Sequence, residues 1–351
     1  MFFKNIKYLL TAFVLTKAVM LLAQTKQQTP APLFVDPNYH GSCDPEIVYN
    51  PHDKYYYIYY TSRRATVENL FTATPLGIIR SKNLQKWEFW GYCKFDGIGG
   101  SKDMPATFWA PAITVHKNQM HMFVTWKPDT NTTQGPWGGK GSIVHYKTTL
   151  DKPIDGWQKV AQMHTDSLDA LDATVYTQND SVHVWFKAKK INEKKNNLYH
   201  FASKDFKAWE AKGFSKSDVF NEKVTGQKFE EAPYIFKWKN KYFMITDPHE
   251  GLMVYQSDNG ENWTYQGIIL LDSGKRPLDN SRARHCSVVV KNNRAFIIYH
   301  VEPWREYDEP GRKAKSIYKQ AIANRKSVLQ MAELKYIDGK IVCDRNVLKF
   351  K

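Results

Sequence analysis

The sequence has few cysteines and lacks the motifs of several common enzyme classes. Its 351 residues include four cysteines that form no C-x-x-C pair, so a zinc site is not expected. There is no glycine-rich phosphate-binding loop and no G-x-S-x-G motif, which argues against a nucleotide-binding protein and an esterase. Long stretches with helical periodicity and caps are also missing, and this argues against a helical fold.

Aromatic residues, in contrast, are abundant. They make up 14% of the chain, with 11 Trp and 20 Tyr, which supports a large folded core and argues against disorder. The formal net charge is +15. A basic protein of this kind either favours acidic polysaccharides or carries a solvated basic surface. The lysines are scattered and no DNA-binding motif surrounds them, so nucleic acid is not expected as a partner.

The first 23 residues predict an export signal. Positive residues precede an apolar run from Tyr8 to Leu22, and Ala23 is a plausible cleavage residue. Lys17 interrupts the run, which disfavours a permanent membrane span. Residues 24–32 predict a flexible leader. Cleavage removes three lysines and no acid, which lowers the net charge from +15 to +12, and we expect a periplasmic or extracellular protein with no membrane attachment.

Export would permit disulfide bonds between the cysteines. Cys43 and Cys286 each lie beside a candidate site residue described below, so these two are expected to be near each other. A bridge between them is the alternative to two free thiols. We expect the free thiols, because buried unpaired cysteine is common.

A repeated unit organises the rest of the chain. Each copy has a marker residue, an apolar strand, a polar turn and a second apolar strand. Three copies continue into a Ser, then an Asn or Asp, and a Trp six residues after the Ser. The markers are spaced 65, 63, 59 and 54 residues apart; they are Asp44, Trp109, Asp172, Glu231 and His285.

Four strands of five to six residues fill such an interval. In a β-propeller, repeated sheets are arranged around a central axis, and only short, protected strand edges remain. We therefore predict an all-β, five-bladed β-propeller over residues 33–351, with a β-sandwich as the alternative.

Three of the five markers are acidic. The first strand of each propeller blade lines the central channel, so residues at matched positions should point to one common spot. Three carboxyl groups in one pocket are costly unless they are used, because like charges and desolvation raise their pKa values. Capping of turns is the structural alternative for each of them. Glycoside hydrolysis needs one carboxyl as an acid and another as a base or nucleophile.

These motifs resemble glycoside hydrolase family 43 and its five-bladed relatives across nearly the whole mature sequence. The resemblance is carried by Asp44-Pro with the following YYYIYYT, Phe108-Trp-Ala-Pro, Asp172-Ala-Thr-Val-Tyr, Glu231-Ala-Pro, and His285 before Ser-Val-Val-Val. Ala112 stands where the family usually has an acid. This departure, together with Trp137-Gly-Gly, indicates a divergent branch.

The resemblance implies roles for the three acids. Asp44 corresponds to the general base, Glu231 to the general acid, and Asp172 to the residue that tunes the acid, in an inverting mechanism. Glu230 and Asp169 compete with their neighbours for the last two assignments. The resemblance requires no cofactor and allows a calcium ion in the central channel, bound near His285 through water.

Several other residues are candidates for substrate binding: Arg63, Arg284, His285 and Trp109. Arginine makes bidentate contacts to carboxylates and sulfates, which would suit an acidic sugar, but ion pairing with the channel acids is the favoured explanation of the arginines. Trp109 could stack on a sugar face. His249 is expected in an outer-rim loop, away from the site.

We thus expect a secreted, monomeric glycosidase that removes a terminal sugar from a plant or algal polysaccharide, with arabinofuranosidase- or xylosidase-like action. Its partner would be an oligo- or polysaccharide. A non-catalytic carbohydrate-binding propeller and a glycoside phosphorylase are the alternatives. The phosphorylase would need a basic phosphate pocket, for which Arg282 with Arg284 is the candidate pair.

Overall fold

The computed structural model describes residues 30–164, 167–193, 196–214, 218–309, 313–314 and 316–348. The predicted signal peptide lies outside these residues, as does most of the leader. Among the described residues, no helix is long and apolar enough to cross a membrane. Nearly all regular structure is β-strand, as the sequence predicted.

Five four-stranded antiparallel sheets form the five blades of a propeller. Blade I contains β1 (Ser42–Asn50), β2 (Tyr55–Ser62), β3 (Leu76–Ser81) and β4 (Glu88–Tyr92). After the small hairpin of β5 (Lys94–Phe95) and β6 (Ile98–Gly99), blade II contains β7 (Thr107–His116), β8 (Gln119–Lys127), β9 (Ser142–Thr149) and β10 (Gln158–Gln162).

The other three blades follow the same order from the innermost strand outward. Blade III contains β11 (Leu168–Gln178), β12 (Ser181–Lys190), β13 (Asn197–Ser203) and β14 (Glu210–Phe214). The single helical turn α1 (Glu222–Thr225) precedes blade IV, which contains β15 (Glu231–Trp238), β16 (Lys241–Asp247), β17 (Leu252–Ser257) and β18 (Thr264–Ile269).

Blade V has its own insertion. It begins with β19 (Arg284–Lys291) and β20 (Arg294–Val301) and ends with β23 (Val328–Ile337) and β24 (Lys340–Cys343). Between these pairs lie the hairpin β21 (Tyr307–Glu309) and β22 (Lys313–Ala314) and two 3₁₀ turns, Ile317–Lys319 and Ile322–Asn324. The chain entering blade I pairs with blade V, because Leu33 N donates to the Leu329 carbonyl over 2.8 Å.

The hydrophobic core lies between the blades. Five clusters of buried side chains each combine residues of two neighbouring blades, including the pair formed by blades V and I. Blade V and blade I meet around Ile58, Ile298 and Leu329, which are fully buried. Packing around the ring thus closes the propeller without a shared strand.

The Ser-Asn-Trp pattern is a repeated turn between the third and fourth strands. In blade I the Ser81 hydroxyl accepts the Leu84 N–H over 2.9 Å, and the Asn83 side chain accepts the Gln85 N–H over 2.9 Å. Ser203 with Asp205 and Ser257 with Asn259 make the same bonds. Such side-chain bonds mimic a backbone turn, which explains the sequence repeat.

Candidate active site

A β-bulge interrupts the innermost strand of every blade near its start. The five register shifts fall between Cys43/Glu46, Trp109/Ala112, Leu171/Ala173, Glu231/Tyr234 and Arg284/Cys286. Each bulge holds one left-handed residue, with φ from 24° to 56°: Asp44, Ala110, Asp172, Ala232 and His285. A bulge changes the direction of the side chains next to it. Each residue in the left-handed conformation costs about 1–3 kcal/mol of strain. The shared distortion explains why the five markers face the same place.

The markers line one cavity of about 380 Å³, a size typical of small-molecule sites. All seven residues that the sequence proposed for the site lie on its wall: Asp44, Arg63, Trp109, Asp172, Glu231, Arg284 and His285. The structure adds residues that the sequence did not single out, among them Phe71, Lys127 and Asp247. The three carboxyl groups of Asp44, Asp172 and Glu231 thus line one cavity.

A ring of hydrogen bonds between blades supports the bulges. In four of the five blades, the residue opposite the bulge, near the end of the second strand, accepts the bulge N–H of the next blade. Ala110 N donates to Thr61 Oγ1 over 2.8 Å, and Asp172 N donates to Thr125 Oγ1 over 3.0 Å. Asp247 Oδ2 accepts His285 N over 3.0 Å, and His300 Nδ1 accepts Asp44 N over 3.3 Å.

Blade III breaks this pattern. Lys187 pairs with Leu171, which is the register position that Thr61, Thr125, Asp247 and His300 occupy in their blades. A lysine ammonium cannot accept a hydrogen bond. It instead donates to the next blade's marker, with Lys187 Nζ 3.1 Å from Glu231 Oε2. In blade III, the side chain at this position is therefore a cation that contacts the carboxylate of Glu231, in place of a hydrogen-bond acceptor.

Both oxygens of Glu231 have partners. His249 Nε2 lies 2.6 Å from Oε1, while Lys187 occupies the Oε2 side. Burial alone would raise the pKa of Glu231, but the Lys187 charge and the hydrogen-bonded His249 hold it well below its usual range. Glu231 is therefore ionised in the free protein.

Asp172 shows the opposite behaviour. Burial, reinforced by the negative charge of Glu231, raises the pKa of Asp172 to about 7. Two carboxyl groups whose environments push their pKa values apart are a common arrangement of acid–base sites. Asp172 therefore takes up a proton at a higher pH than Glu231 does.

Asp44 lies at the start of blade I among histidines. His285 Nδ1 is 3.5 Å from Asp44 Oδ1, and His300 Nδ1 is 3.8 Å from the same oxygen. The Cys43 thiol donates to Asp44 Oδ2 over 3.3 Å. All four cysteines are free thiols, and burial raises the pKa of the Cys43 and Cys286 thiols well above the usual value.

The structure separates the competing acids. Glu230 is buried outside the cavity lining, where it accepts hydrogen bonds from Thr246 Oγ1 over 2.6 Å and Tyr255 OH over 2.7 Å. It therefore holds blade IV together. Asp169 does line the cavity, but it is tied to the Gly141 N–H over 2.9 Å and is not in the bulge. Asp172, not Asp169, occupies the marker position.

The two predicted arginines form a buried ion-pair network. Arg63 Nη1 lies 2.5 Å from Glu302 Oε1, and Arg284 Nη1 lies 3.5 Å from Glu302 Oε2. Arg284 Nε also contacts Asp247 Oδ2 at 3.0 Å, and Arg305 pairs with Glu302 as well. Burial opposes ionisation of Glu302, but the three guanidiniums hold its pKa well below the usual range. Ion pairing therefore accounts for these arginines.

Aromatic side chains form one wall of the cavity. Phe71 and Trp137 stack with ring centroids 4.2 Å apart, and Trp109 Nε1 donates to the Phe71 carbonyl over 2.9 Å. Lys127 Nζ lies 3.9 Å from the Trp109 ring centre and donates to the carbonyls of Trp137 and Gly139 over 2.8 and 2.9 Å. Burial lowers the pKa of Lys127 to about 8. The wall is thus rigid and tied to β8.

The prediction for His249 was wrong. His249 lines the cavity and contacts Glu231, rather than lying on an outer rim. It follows the end of β16 in a left-handed conformation, with φ 67°, and its backbone N–H donates to Asp247 Oδ1 over 2.6 Å. That local turn directs the loop back over the cavity.

The acidic and imidazole groups do not form a convincing metal site. Ligand atoms of Glu231, Asp247 and His249 lie within 4.8 Å of one another, but Lys187 and Arg284 already bind the two carboxylates. Calcium takes six to eight oxygen ligands, and the contacts of His285 supply one carboxylate oxygen, from Asp44. The residues present do not fit a directly bound calcium ion. Calcium held through water remains a prediction.

The fold agrees with solved glycosidases. A thermostable family-43 glycoside hydrolase has a TM-score of 0.60 and 17% identity, covering 88% of this chain and 95% of that one. A GH43_1 enzyme from Xanthomonas citri, solved with xylotriose, has a TM-score of 0.62 and 14% identity, covering 93% and 96%. CoXyl43, a β-xylosidase/α-arabinofuranosidase from a compost microbial metagenome solved calcium-free with xylotriose, has a TM-score of 0.61 and 15% identity, covering 90% and 96%.

No curated protein matches the chain by sequence. The model of the glycosyl hydrolases family 43, however, matches residues 38–316, which is most of the chain and includes all five markers. With this match, the five blades and the convergence of three carboxyl groups in one cavity, the chain belongs to glycoside hydrolase family 43 and is a glycosidase.

Proposed function

We propose that the protein is a secreted, inverting exo-glycosidase that removes a terminal arabinofuranosyl or xylosyl residue from a plant or algal polysaccharide. The observation that carries the proposal is the single cavity in which Asp44, Asp172 and Glu231 meet at matched positions of three blades. Two solved structures with similar folds are described as complexes with xylotriose, which supports a pentose substrate.

The roles follow from the surroundings of each acid. Asp44 acts as the base that takes a proton from the attacking water, and the imidazole of His285 lies 3.5 Å from its carboxylate. Glu231 gives a proton to the leaving oxygen. Asp172 sits buried beside Glu231, so its charge state sets how readily Glu231 takes up a proton. Inversion needs the acid and base about 6.5–9.5 Å apart, with room for water between them.

The alternatives are less well supported. A glycoside phosphorylase needs a free basic pocket for phosphate, but Arg284 binds Asp247 and Glu302, and Arg282 lies 3.6 Å from Glu250. A silent binding module would not need three acids in one cavity. A dependence of turnover on inorganic phosphate would support the phosphorylase.

A screen for sugar release tests the proposal. The wild-type protein should release a monosaccharide from at least one member of a panel of aryl glycosides and pectic, xylan and sulfated polysaccharides. Glu231→Ala should lower that turnover by about 10²–10⁴-fold, which is the usual contribution of general acid catalysis. Glu222→Ala, on the exposed face of α1, is the matched control. Sugar binding without release by the wild type would instead identify a binding module.

Secretion is tested separately. Mass spectrometry of the protein expressed with its first 23 residues should show an N-terminus after Ala23 in the periplasmic or culture fraction. An intact N-terminus in the membrane fraction would contradict it.

A further inference from the structure

The Lys187–Glu231–His249 cluster raises a question that the assignment of Glu231 as the acid leaves open. A general acid must carry a proton when the leaving oxygen needs it. In the free protein, however, both oxygens of Glu231 are in contact with a partner, Lys187 on one side and His249 on the other. A partner of Glu231 that also reaches solvent could supply that proton.

Lys187 is poorly placed to deliver it. Its side chain is only 6% exposed, and it packs over the Phe229 ring with Nζ 4.2 Å from the ring centre. Having given up a proton, a lysine so enclosed would have no open path to recover it from solvent. Its position in the inter-blade ring is that of a fixed structural contact, which orients the Oε2 side of the carboxylate.

His249 has the complementary properties. Its ring nitrogen is 2.6 Å from Glu231 Oε1, and its side chain is 41% exposed, whereas Glu231 itself is 20% exposed. The ring packs against Phe229 with centroids 4.4 Å apart, and the backbone is fixed by the bond to Asp247. One edge of a held imidazole thus touches the acid while the side chain remains open to water.

We propose that His249 is the proton relay of this glycosidase: it passes a proton from solvent to Glu231, which hands it to the leaving oxygen. This rests on the proposed role of Glu231. The Nε2–H bond of protonated His249 breaks and an O–H bond forms at Glu231 Oε1. That proton moves to the glycosidic oxygen as the C–O bond breaks, with its electron pair going to oxygen. Asp44 takes a proton from the attacking water and returns it to solvent, from which His249 is recharged.

Charged groups around the relay are consistent with this direction of transfer. Asp247 and Glu231 contact His249 from β16 and β15, and Arg284 on β19 pairs with Asp247. Lys187 on β12 and Asp172 on β11 act on the same carboxylate of Glu231. The acceptor is therefore negative and its other oxygen is held, which leaves Oε1 as the site of transfer.

Leaving-group dependence tests the relay. A dinitrophenyl leaving group departs without protonation, whereas a phenyl leaving group needs the acid. Pairs of phenyl and 2,4-dinitrophenyl β-xylosides and α-arabinofuranosides are therefore assayed with the wild type, His249→Gln and His249→Ala. We expect kcat on the phenyl substrate to fall about 10²-fold in both variants, in the range of general acid catalysis, and kcat on the dinitrophenyl substrate to fall less than about threefold.

The choice of variants separates proton transfer from positioning. Glutamine keeps a hydrogen-bond donor beside Glu231 but cannot relay a proton. If His249 only positions Glu231, His249→Gln should therefore retain phenyl hydrolysis. If His249 relays a proton, His249→Gln should lose it. His52→Gln, in the exposed turn before β2, is the matched control and should behave as wild type. Equal losses on both substrates, or recovery of phenyl hydrolysis in His249→Gln, would overturn the relay.

Glu231→Ala in the same assay distinguishes this failure from failure of the proposed function. If Glu231→Ala loses much more activity on the phenyl than on the dinitrophenyl substrate and His249→Gln does not, Glu231 is the acid and the relay is wrong. If Glu231→Ala loses activity equally on both substrates, the assignment of the acid is wrong, and the relay proposal is wrong as well.

Discussion

Asp172→Asn should stabilise the protein in a strongly pH-dependent way. The substitution keeps the size of the side chain and removes its charge. Asp172 is buried beside ionised Glu231, and its pKa rises from 3.8 to about 7. At about 1.4 kcal/mol per pH unit, this corresponds to a cost of at most about 4 kcal/mol when the folded protein must hold the ionised form.

The sign of the effect follows from the raised pKa. Below about pH 4, Asp172 is protonated in both the folded and the unfolded chain and makes no difference. Between about pH 4 and 7, only the unfolded chain ionises, so the wild type loses free energy of unfolding as the pH rises. Above about pH 7, the full cost is present. Asp172→Asn lacks this titration, so its advantage should grow with pH and then level off.

Urea unfolding of both proteins at intervals from pH 4 to pH 8.5 measures this difference. Asp258→Asn is the control, because Asp258 forms an exposed pair with Lys241, and such a pair contributes less than about 1 kcal/mol. An advantage of Asp172→Asn that does not change with pH, or that is largest in acid, would refute the raised pKa of Asp172.

Three further outcomes follow from the cavity and its supports. Glu302→Gln should lower the free energy of unfolding by about 3–5 kcal/mol in chemical denaturation, because it leaves buried guanidiniums uncompensated; an effect as small as that of Glu88→Gln in the exposed pair with Arg80 would contradict the network. Trp137→Ala should raise KM about tenfold with little change in kcat if the aromatic wall binds the sugar, and an unchanged KM would remove Trp137 from the binding site. Lys127→Met should raise KM by a similar factor, because two hydrogen bonds to the loop that carries Trp137 are lost. An unchanged KM would show that these bonds are not needed to hold the loop in place.

The blade architecture and the marker residues could be predicted because they repeat. Strand periodicity and turn residues recur at each copy, so a residue such as Asp172 can be aligned with Asp44 and Glu231 without knowing the structure. In a closed propeller, matched positions must face the same axis. The sequence therefore indicated the three acids and the common pocket.

The support of the site was harder to predict because it depends on register. Lys187 sits opposite a bulge, and bulges shift the pairing by one residue, so the strand pattern alone does not reveal which residue is opposite the marker. A signal did exist: Thr61, Thr125 and His300 lie near the ends of the second strands of their repeats, and Lys187 lies near the end of the equivalent strand in blade III. Comparison of those positions across the repeats would have identified it.

His249 could not have been placed by pattern. It lies beyond the end of β16, where strand periodicity no longer applies, and its left-handed backbone turns the loop toward the cavity. Gly, Asn, Asp and His are all enriched at such positions, so a single histidine does not show in which direction the loop turns. The sequence did not show that the loop after β16 turns toward the cavity.

The anomeric form of the first product tests the central claim most directly. Proton NMR spectra recorded during the first minutes of hydrolysis distinguish the two anomers of the released sugar before they interconvert. With Asp44 activating water and Glu231 protonating the leaving oxygen, the account predicts a product of inverted configuration. A product that appears first with retained configuration would contradict these roles.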